Sequence, residues 1–212
     1  MQITLIGPGN MAGGIATRAL TGGHRVRLVG KDATKTEALV DVLRERVPGA
    51  DVEAADGVDG ADIVVLALPY PAGRDVVAAR GDELVGKVVV DISNPVDFAT
   101  FDSLVTPPGT SAAEEVAAAA ADGVTVVKAF NTTFAGLLVA GEVDGTPLDV
   151  FIAGDDEMAK KKVSDLVTSG GLRPLDAGPL RRARELEALQ FLHMAMQQAL
   201  GTNWGSAIKI LP

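Results

Sequence analysis

The chain has no cysteine among its 212 residues, which excludes disulfides, thiolate catalysis and cysteine-held zinc or iron–sulfur centres. Aromatic residues are scarce as well, at 4% of the chain, with a single tyrosine and a single tryptophan. Positive charge is in deficit: 19 Lys and Arg against 28 Asp and Glu leave a net charge of −9. Such a surface repels nucleic acid and anionic membranes, so neither is expected as a partner. No stretch approaches the ~18 apolar residues of a membrane helix, and the alanine run at 112–121 carries Glu114 and Glu115. A basic region followed by a long apolar run is missing from the start, so no secretory signal is expected and the cytoplasm is the expected location. A metal site is not expected either. Asp155 and Asp156 are the nearest thing to one, and they fall where a helix cap and first turn belong.

Glycine and small aliphatic residues are abundant instead, with 24 glycines and 47% hydrophobic residues, the composition of an α/β protein with one sizeable core. The first residues organise the rest. Gln2-Ile3-Thr4-Leu5-Ile6 reads as a strand, Gly7-Pro8-Gly9-Asn10-Met11-Ala12 as a glycine turn, and residues 14–20 as a helix. Strand, glycine turn and helix form the context in which a GxGxxG/A pattern signifies dinucleotide binding. Gly7 makes the tight turn, Gly9 lets the backbone approach a pyrophosphate, and Ala12 lets the helix pack close to the strand. Asn10 is expected to cap that helix, whose N-terminal N–H groups and dipole favour phosphate.

A second strand is expected at residues 25–29, after His24 in a turn. Its end selects the cofactor, because an NAD site places an acid there for the ribose hydroxyls. Here the sequence is Gly30-Lys31-Asp32-Ala33-Thr34-Lys35. Lys31, Thr34 and Lys35 suit a 2′-phosphate, which favours NADP(H), while Asp32 is the residue that could instead turn towards a ribose.

Further strands are expected at residues 51–54, 61–68, 87–92, 124–129, 148–153 and 172–175, and helices at 37–47, 112–121, 160–167 and 180–200. Together these give a doubly wound, mainly parallel Rossmann sheet extended by later strands, with a C-terminal helical segment. The expected division is residues 1–178 for the nucleotide-binding unit and 179–212 for a segment closing the site. Ligands in such sheets lie beyond the carboxyl ends of the strands, which brings Leu68, Pro69, Tyr70, Asn94, Phe130 and Asn131 to the cofactor. The last helix is expected to bury a stripe of Leu186, Leu189, His193, Met196 and Leu200. Arg181, Arg182 and Arg184 crowd its first turn, where the dipole disfavours cations, so an anionic second ligand is expected at Arg181 and Arg184. His193 faces either the core or the substrate, and Trp204 sits in a glycine-flanked loop followed by an apolar tail.

The full length resembles the coenzyme F-420-dependent NADP oxidoreductases, the NADPH-dependent deazaflavin reductases. The resemblance is carried by Ile6-Gly7-Pro8-Gly9-Asn10-Met11-Ala12, Gly154-Asp155-Asp156, the string from Gly171 to Leu180 and the ending from Gly205 to Leu211. It implies direct hydride transfer between the nicotinamide and the C5 carbon of a deazaflavin, with no dedicated acid–base residue, and subunits that pair as a homodimer. Two stretches depart from the better-known members: Lys31-Asp32 in place of a Ser-Arg pair, and Phe130-Asn131-Thr132-Thr133. Membrane ferric reductases share the domain. The residues themselves leave open another acceptor, such as a flavin, a quinone or an imine, and a non-catalytic NADP-binding module.

Overall fold

The computed structural model describes residues 1–211; the last residue of the expected C-terminal segment lies outside them. In chain order the elements are β1 (Gln2–Ile6), α1 (Asn10–Thr21), β2 (Arg25–Val29), α2 (Ala33–Arg46), β3 (Val52–Ala54), β4 (Ile63–Leu66) and α3 (Ala72–Arg80). They continue with β5 (Val88–Asp91), α4 (Ala112–Ala119), β6 (Thr125–Lys128), α5 (Ala135–Ala140), β7 (Glu142–Val143) and β8 (Thr146–Pro147). The chain then runs through β9 (Asp149–Gly154), α6 (Glu157–Ser169), β10 (Arg173–Gly178) and α7 (Ala183–Leu200), the last preceded by a 3-10 turn at Leu180–Arg182.

The main sheet has the order β3-β2-β1-β4-β5-β6-β9-β10. Strands β1 to β6 in it are parallel; β9 runs antiparallel to β6, and β10 parallel to β9. The central strands are apolar throughout because both faces are covered. Alternate side chains feed two cores. Ile63, Val65 and Val90 join Ile15, Leu28 and Val163 on one face. Val64, Leu66 and Val89 join Val77, Val116 and Leu180 on the other. The chain leaves β1 towards β2 on one side and β4 on the other, and this reversal of strand order opens a crevice above β1.

Several boundaries differ from the expectation. Helix α1 starts at Asn10, capped by the Gly9 backbone with no side-chain bond, so Asn10 is the first helical residue and not the cap. Its interior glycines serve contact, since a Cβ on Gly14 would stand 2.7 Å from Leu138 Cβ and 2.9 Å from the Ala135 carbonyl of α5. Helix α2 starts at Ala33 because Asp32 accepts from the Lys35 N–H at 3.1 Å. Strand β10 runs on to Gly178, where the sequence suggests a turn. Helices α3 and α5 and the β7–β8 hairpin are absent from the expectation: α5 and the hairpin are too short for periodicity to reveal, and α3 buries only Gly73 and Val77, which leaves no apolar stripe. Asp144-Gly145, both at positive φ, is the hairpin signal present in the sequence.

The largest correction concerns α7. Only Leu186 of the expected apolar stripe is buried; Leu189, Met196 and Leu200 are exposed, and Leu192 with them. The face turned inward carries Glu187, Gln190 and Gln197. It is polar because it packs over strand ends whose own polar groups need partners.

Candidate functional site

The crevice above β1 is a cavity of about 580 Å³, and Gly7, Gly9, Lys31, Lys35, Leu68 and Pro69 lie together on its wall. Gly7 is at φ +101°, and a Cβ there would meet the Ala67 carbonyl at 2.5 Å. Its N–H donates to the Val29 carbonyl at 2.8 Å, which anchors the turn from β1 into α1 on the end of the parallel strand β2. Gly9 is different: a Cβ there would meet nothing within 4 Å, so its missing side chain leaves open space at the start of α1. The first N–H groups of α1 have no intrahelical acceptors. Asn10 stands beside the cavity, in a neighbouring crevice shared with Ala135 and Gly136. Met11 is half-buried and packs on the core, and Ala12 is fully buried.

At the far end of the cavity, position 30 decides what the rim can hold. A Cβ on Gly30 would stand 2.4 Å from Thr36 Oγ1 and 2.8 Å from Pro8 Cδ, so no carboxylate can occupy the end of β2. Asp32 reaches the wall, but its carboxylate caps α2. Lys31 and Lys35 project at the rim. Thr34 does not line the cavity; it is exposed in the first turn of α2, a consequence of that helix starting early. Arg80, at the end of α3, adds a third cation, and its guanidinium is held by Glu83 at 2.6 Å. Asp56 also lines this end. Arg80 and Asp56 escaped the sequence reading, because only the packing of α3 and the turn after β3 brings them there.

The ends of β5 and β6 bring Asn94 and Asn131 together. Asn94 Nδ2 donates to the Asn131 carbonyl at 2.9 Å, and Asn131 Nδ2 donates to Asn94 Oδ1 at 3.0 Å and to the Leu186 carbonyl at 3.2 Å. Asn131 Oδ1 and Thr132 Oγ1 are buried without a partner, as are Thr4 Oγ1 and Arg18 Nε elsewhere in the chain. Phe130 contradicts its expected role. It is 1% exposed, packed in the core at φ +63°, and so presents no ring to a cofactor. Its carbonyl accepts from the Thr133 N–H and hydroxyl, which folds residues 130–133 into a turn.

Asn94 and Asn131 do not line the cavity, and the remaining candidates also lie apart from it. Tyr70 donates to Glu115 Oε2 at 2.7 Å and does not line the cavity; burial and this bond raise its pKa. Arg184 is not a free anion site, since it forms two bonds to Glu114 at 2.6 and 2.8 Å. Arg182 pairs with Glu185. Arg181 is exposed and makes no ion pair among the described residues. His193 is half-buried, with Nδ1 at 3.2 Å from Gln190 Oε1 and Nε2 at 2.8 Å from Ser206 Oγ; burial lowers its pKa. Its ring stacks on Phe134 at 4.8 Å, and Trp204 meets the same phenyl edge-on at 5.2 Å. Phe134, unremarked in the sequence, thus joins α5, α7 and the Trp204 loop at the end of β6.

Comparison with known proteins places this geometry. The family model described as NADP oxidoreductase, coenzyme F420-dependent, matches residues 2–95. The F420-dependent NADP reductase of Methanocaldococcus jannaschii is 32% identical over 203 residues, covering 89% of both chains. The chain belongs to the F420-dependent NADP reductase family. A crystal structure from Arthrobacter sp. FB24, described as that of a putative F420-dependent NADP reductase, is 30% identical and superposes with a TM-score of 0.81 over 99% of both chains. Metalloreductase STEAP3 of Rattus norvegicus is 30% identical over 89% of this chain, which spans only 36% of that relative's length.

The residues present fit a dinucleotide of that family. The open face of Gly9 and the free N–H groups of α1 match a pyrophosphate. The excluded acid at position 30, with Lys31, Lys35 and Arg80 around it, matches a 2′-phosphate better than free ribose hydroxyls. No helix is long and apolar enough to cross a membrane among the described residues.

Proposed function

We propose that the chain is an oxidoreductase that passes hydride between NADP(H) and a deazaflavin of the coenzyme F-420 type. The observation that carries the cofactor choice is the closed position at Gly30, which removes the acid an NAD site requires and leaves a cationic rim. The family carries the choice of acceptor: the relatives matched along 89% of both chains bear that activity in their names.

Gly7, Gly9 and the start of α1 hold the pyrophosphate, Lys31, Lys35 and Arg80 the 2′-phosphate, and Leu68 and Pro69 line the path towards the nicotinamide. Asn94 and Asn131 stand at its far end, where a carboxamide N–H would satisfy the free Asn131 Oδ1. When bound, the nicotinamide gives or takes the hydride and the deazaflavin exchanges it at C5, so the chain contributes position and a dry wall, not an acid or base. Residues 179–212 form the segment that covers the acceptor side, with His193, Phe134 and Trp204 as its aromatic wall and Arg181 as the one expected arginine still free for an anionic tail. The exposed Leu189, Leu192, Met196 and Leu200 of α7 support pairing of two copies into a homodimer through that helix. The test is deazaflavin-dependent oxidation of NADPH, with flavin mononucleotide in a parallel arm. Rapid reduction of the deazaflavin alone supports the reading; tight NADPH binding with no deazaflavin reduction sinks it.

A further inference from the structure

Beneath the Asn94–Asn131 pair lie three charges wholly out of water. Lys128 Nζ donates to Asp91 Oδ2 at 2.7 Å, to Glu187 Oε1 at 2.8 Å and to the Ser93 carbonyl at 2.5 Å. Lys128 is fully buried and both carboxylates are 1% exposed. Glu187 also accepts from the Ala112 N–H at 3.0 Å, so the first turn of α4 offsets part of the surplus negative charge. Burial alone would lower Lys128, yet its two carboxylates raise it and keep it charged; burial raises Glu187.

Replacing such a cluster by apolar residues of similar size is often neutral or stabilising, so stability alone gives it no purpose. Its placement does. Asp91 ends β5 and Lys128 ends β6, side by side in register. Asn94 and Asn131 follow each of them by three residues. Glu187 adjoins Leu186, whose carbonyl takes the Asn131 amide. The charges and the amide pair are thus two hydrogen-bonded groups joined through the backbone, by Ser93–Asn94 at the end of β5 and by Leu186–Glu187 in α7.

We propose that Glu187 is a positioning residue: through Lys128 and Leu186 the buried Asp91–Lys128–Glu187 triad seats α7 and sets the Asn131 amide against the nicotinamide end of the site. This rests on the nicotinamide placement given above. Glu187 touches neither cofactor nor acceptor; it acts through Asn131, and through the seat of α7 it also sets the Trp204 loop.

The full-length Glu187→Gln variant tests this, with Asp91→Asn as a second variant that perturbs the same triad from the strand side. Both are compared with wild type in melting temperature, NADPH dissociation constant, energy transfer from Trp204, the only tryptophan, to bound NADPH, and turnover with the deazaflavin. The pyrophosphate and adenine ends are untouched, so NADPH affinity stays within about twofold, while energy transfer changes and kcat falls on the order of tenfold, as for a small misplacement of reacting groups. Combined with Asn131→Ala, Glu187→Gln adds no further loss, because coupled residues are not additive. Unchanged kcat and energy transfer overturn the proposal. So do multiplicative losses in the double variant, or NADPH affinity falling in step with melting temperature. If wild type itself fails to reduce the deazaflavin, the functional reading fails, and the energy transfer still decides the role of the triad.

Discussion

Gly7 and Gly9 stand two residues apart and are glycine for opposite reasons. At Gly7 a Cβ would collide with the Ala67 carbonyl and adopt φ +101°, so Gly7→Ala is expected to destabilise the fold by about 1–3 kcal/mol, measured by chemical denaturation. At Gly9 a Cβ has free space. Gly9→Ala should therefore melt close to wild type yet bind NADPH roughly tenfold or more weakly, since the methyl group occupies the phosphate's approach. Equal melting and equal affinity would contradict the cradle. At the rim, a hydrogen bond from a cation to phosphate contributes about 1.5–3 kcal/mol. Arg80→Ala and Lys35→Ala are each expected to weaken NADPH with little effect on NADH in parallel titrations; equal losses for both cofactors would remove the 2′-phosphate from this end. Both lysines and the missing acid at position 30 could be read from the sequence as a string. Arg80 could not, because only tertiary packing carries α3 to the same cavity.

At the scale of elements, strong periodic or apolar segments were legible and short ones were not. β1 and β2 stand where the sequence puts them, and the apolar run at residues 61–68 contains β4. The six residues of α5 leave no periodicity to read, yet this helix sits against α1 and supplies the turn bearing Phe134. α7 shows the opposite failure. Its apolar spacing is real, but Leu189, Met196 and Leu200 face outwards, and Glu187, Gln190 and Gln197 are buried beside Leu186, because the strand ends beneath them need hydrogen-bonding partners. If that outer stripe joins two copies, Leu192→Asp should halve the mass found by sedimentation equilibrium; a wild-type monomer would refute the pairing. The tail after α7 is tied to the start of β9, beyond the carboxyl end of β6. Asp149, at the start of β9, accepts from Arg173 at 2.6 and 2.7 Å, from Lys209 at 2.5 Å and from the Ile210 N–H at 2.9 Å. Despite its burial these donors hold its carboxyl down at about 2, from an ordinary 3.8. A depressed carboxylate stabilises the fold fully above its unfolded value and loses that contribution as pH falls through the folded one. Acid titration of stability should therefore show a loss between about pH 4 and pH 2 that Asp149→Asn lacks, the variant being less stable at neutral pH and cleaved more readily near its C-terminus.

For the molecule as a whole, the nucleotide-binding class is legible in the first thirty-five residues, the fold class needs the later strands and helices as well, and the family supports the proposed acceptor. The sheet adds its last two strands, β9 and β10, antiparallel to the rest, and so returns the chain to deliver α7 over the ends of β5 and β6. That return path brings the aromatic wall of His193, Phe134 and Trp204 to one side of the site, an arrangement that spans seventy residues of sequence and leaves no local trace. The central claim is that this wall and the glycine cradle hold two redox partners close enough for direct transfer. The decisive measurement follows the hydride itself: NADPH carrying deuterium at the nicotinamide carbon that gives up hydride is incubated with the protein and the oxidised deazaflavin, and the product is weighed by mass spectrometry. One deuterium on the deazaflavin at C5, absent without protein, is the predicted result. Reduced deazaflavin free of deuterium, with each stereochemical label of NADPH tested in turn, would contradict direct transfer.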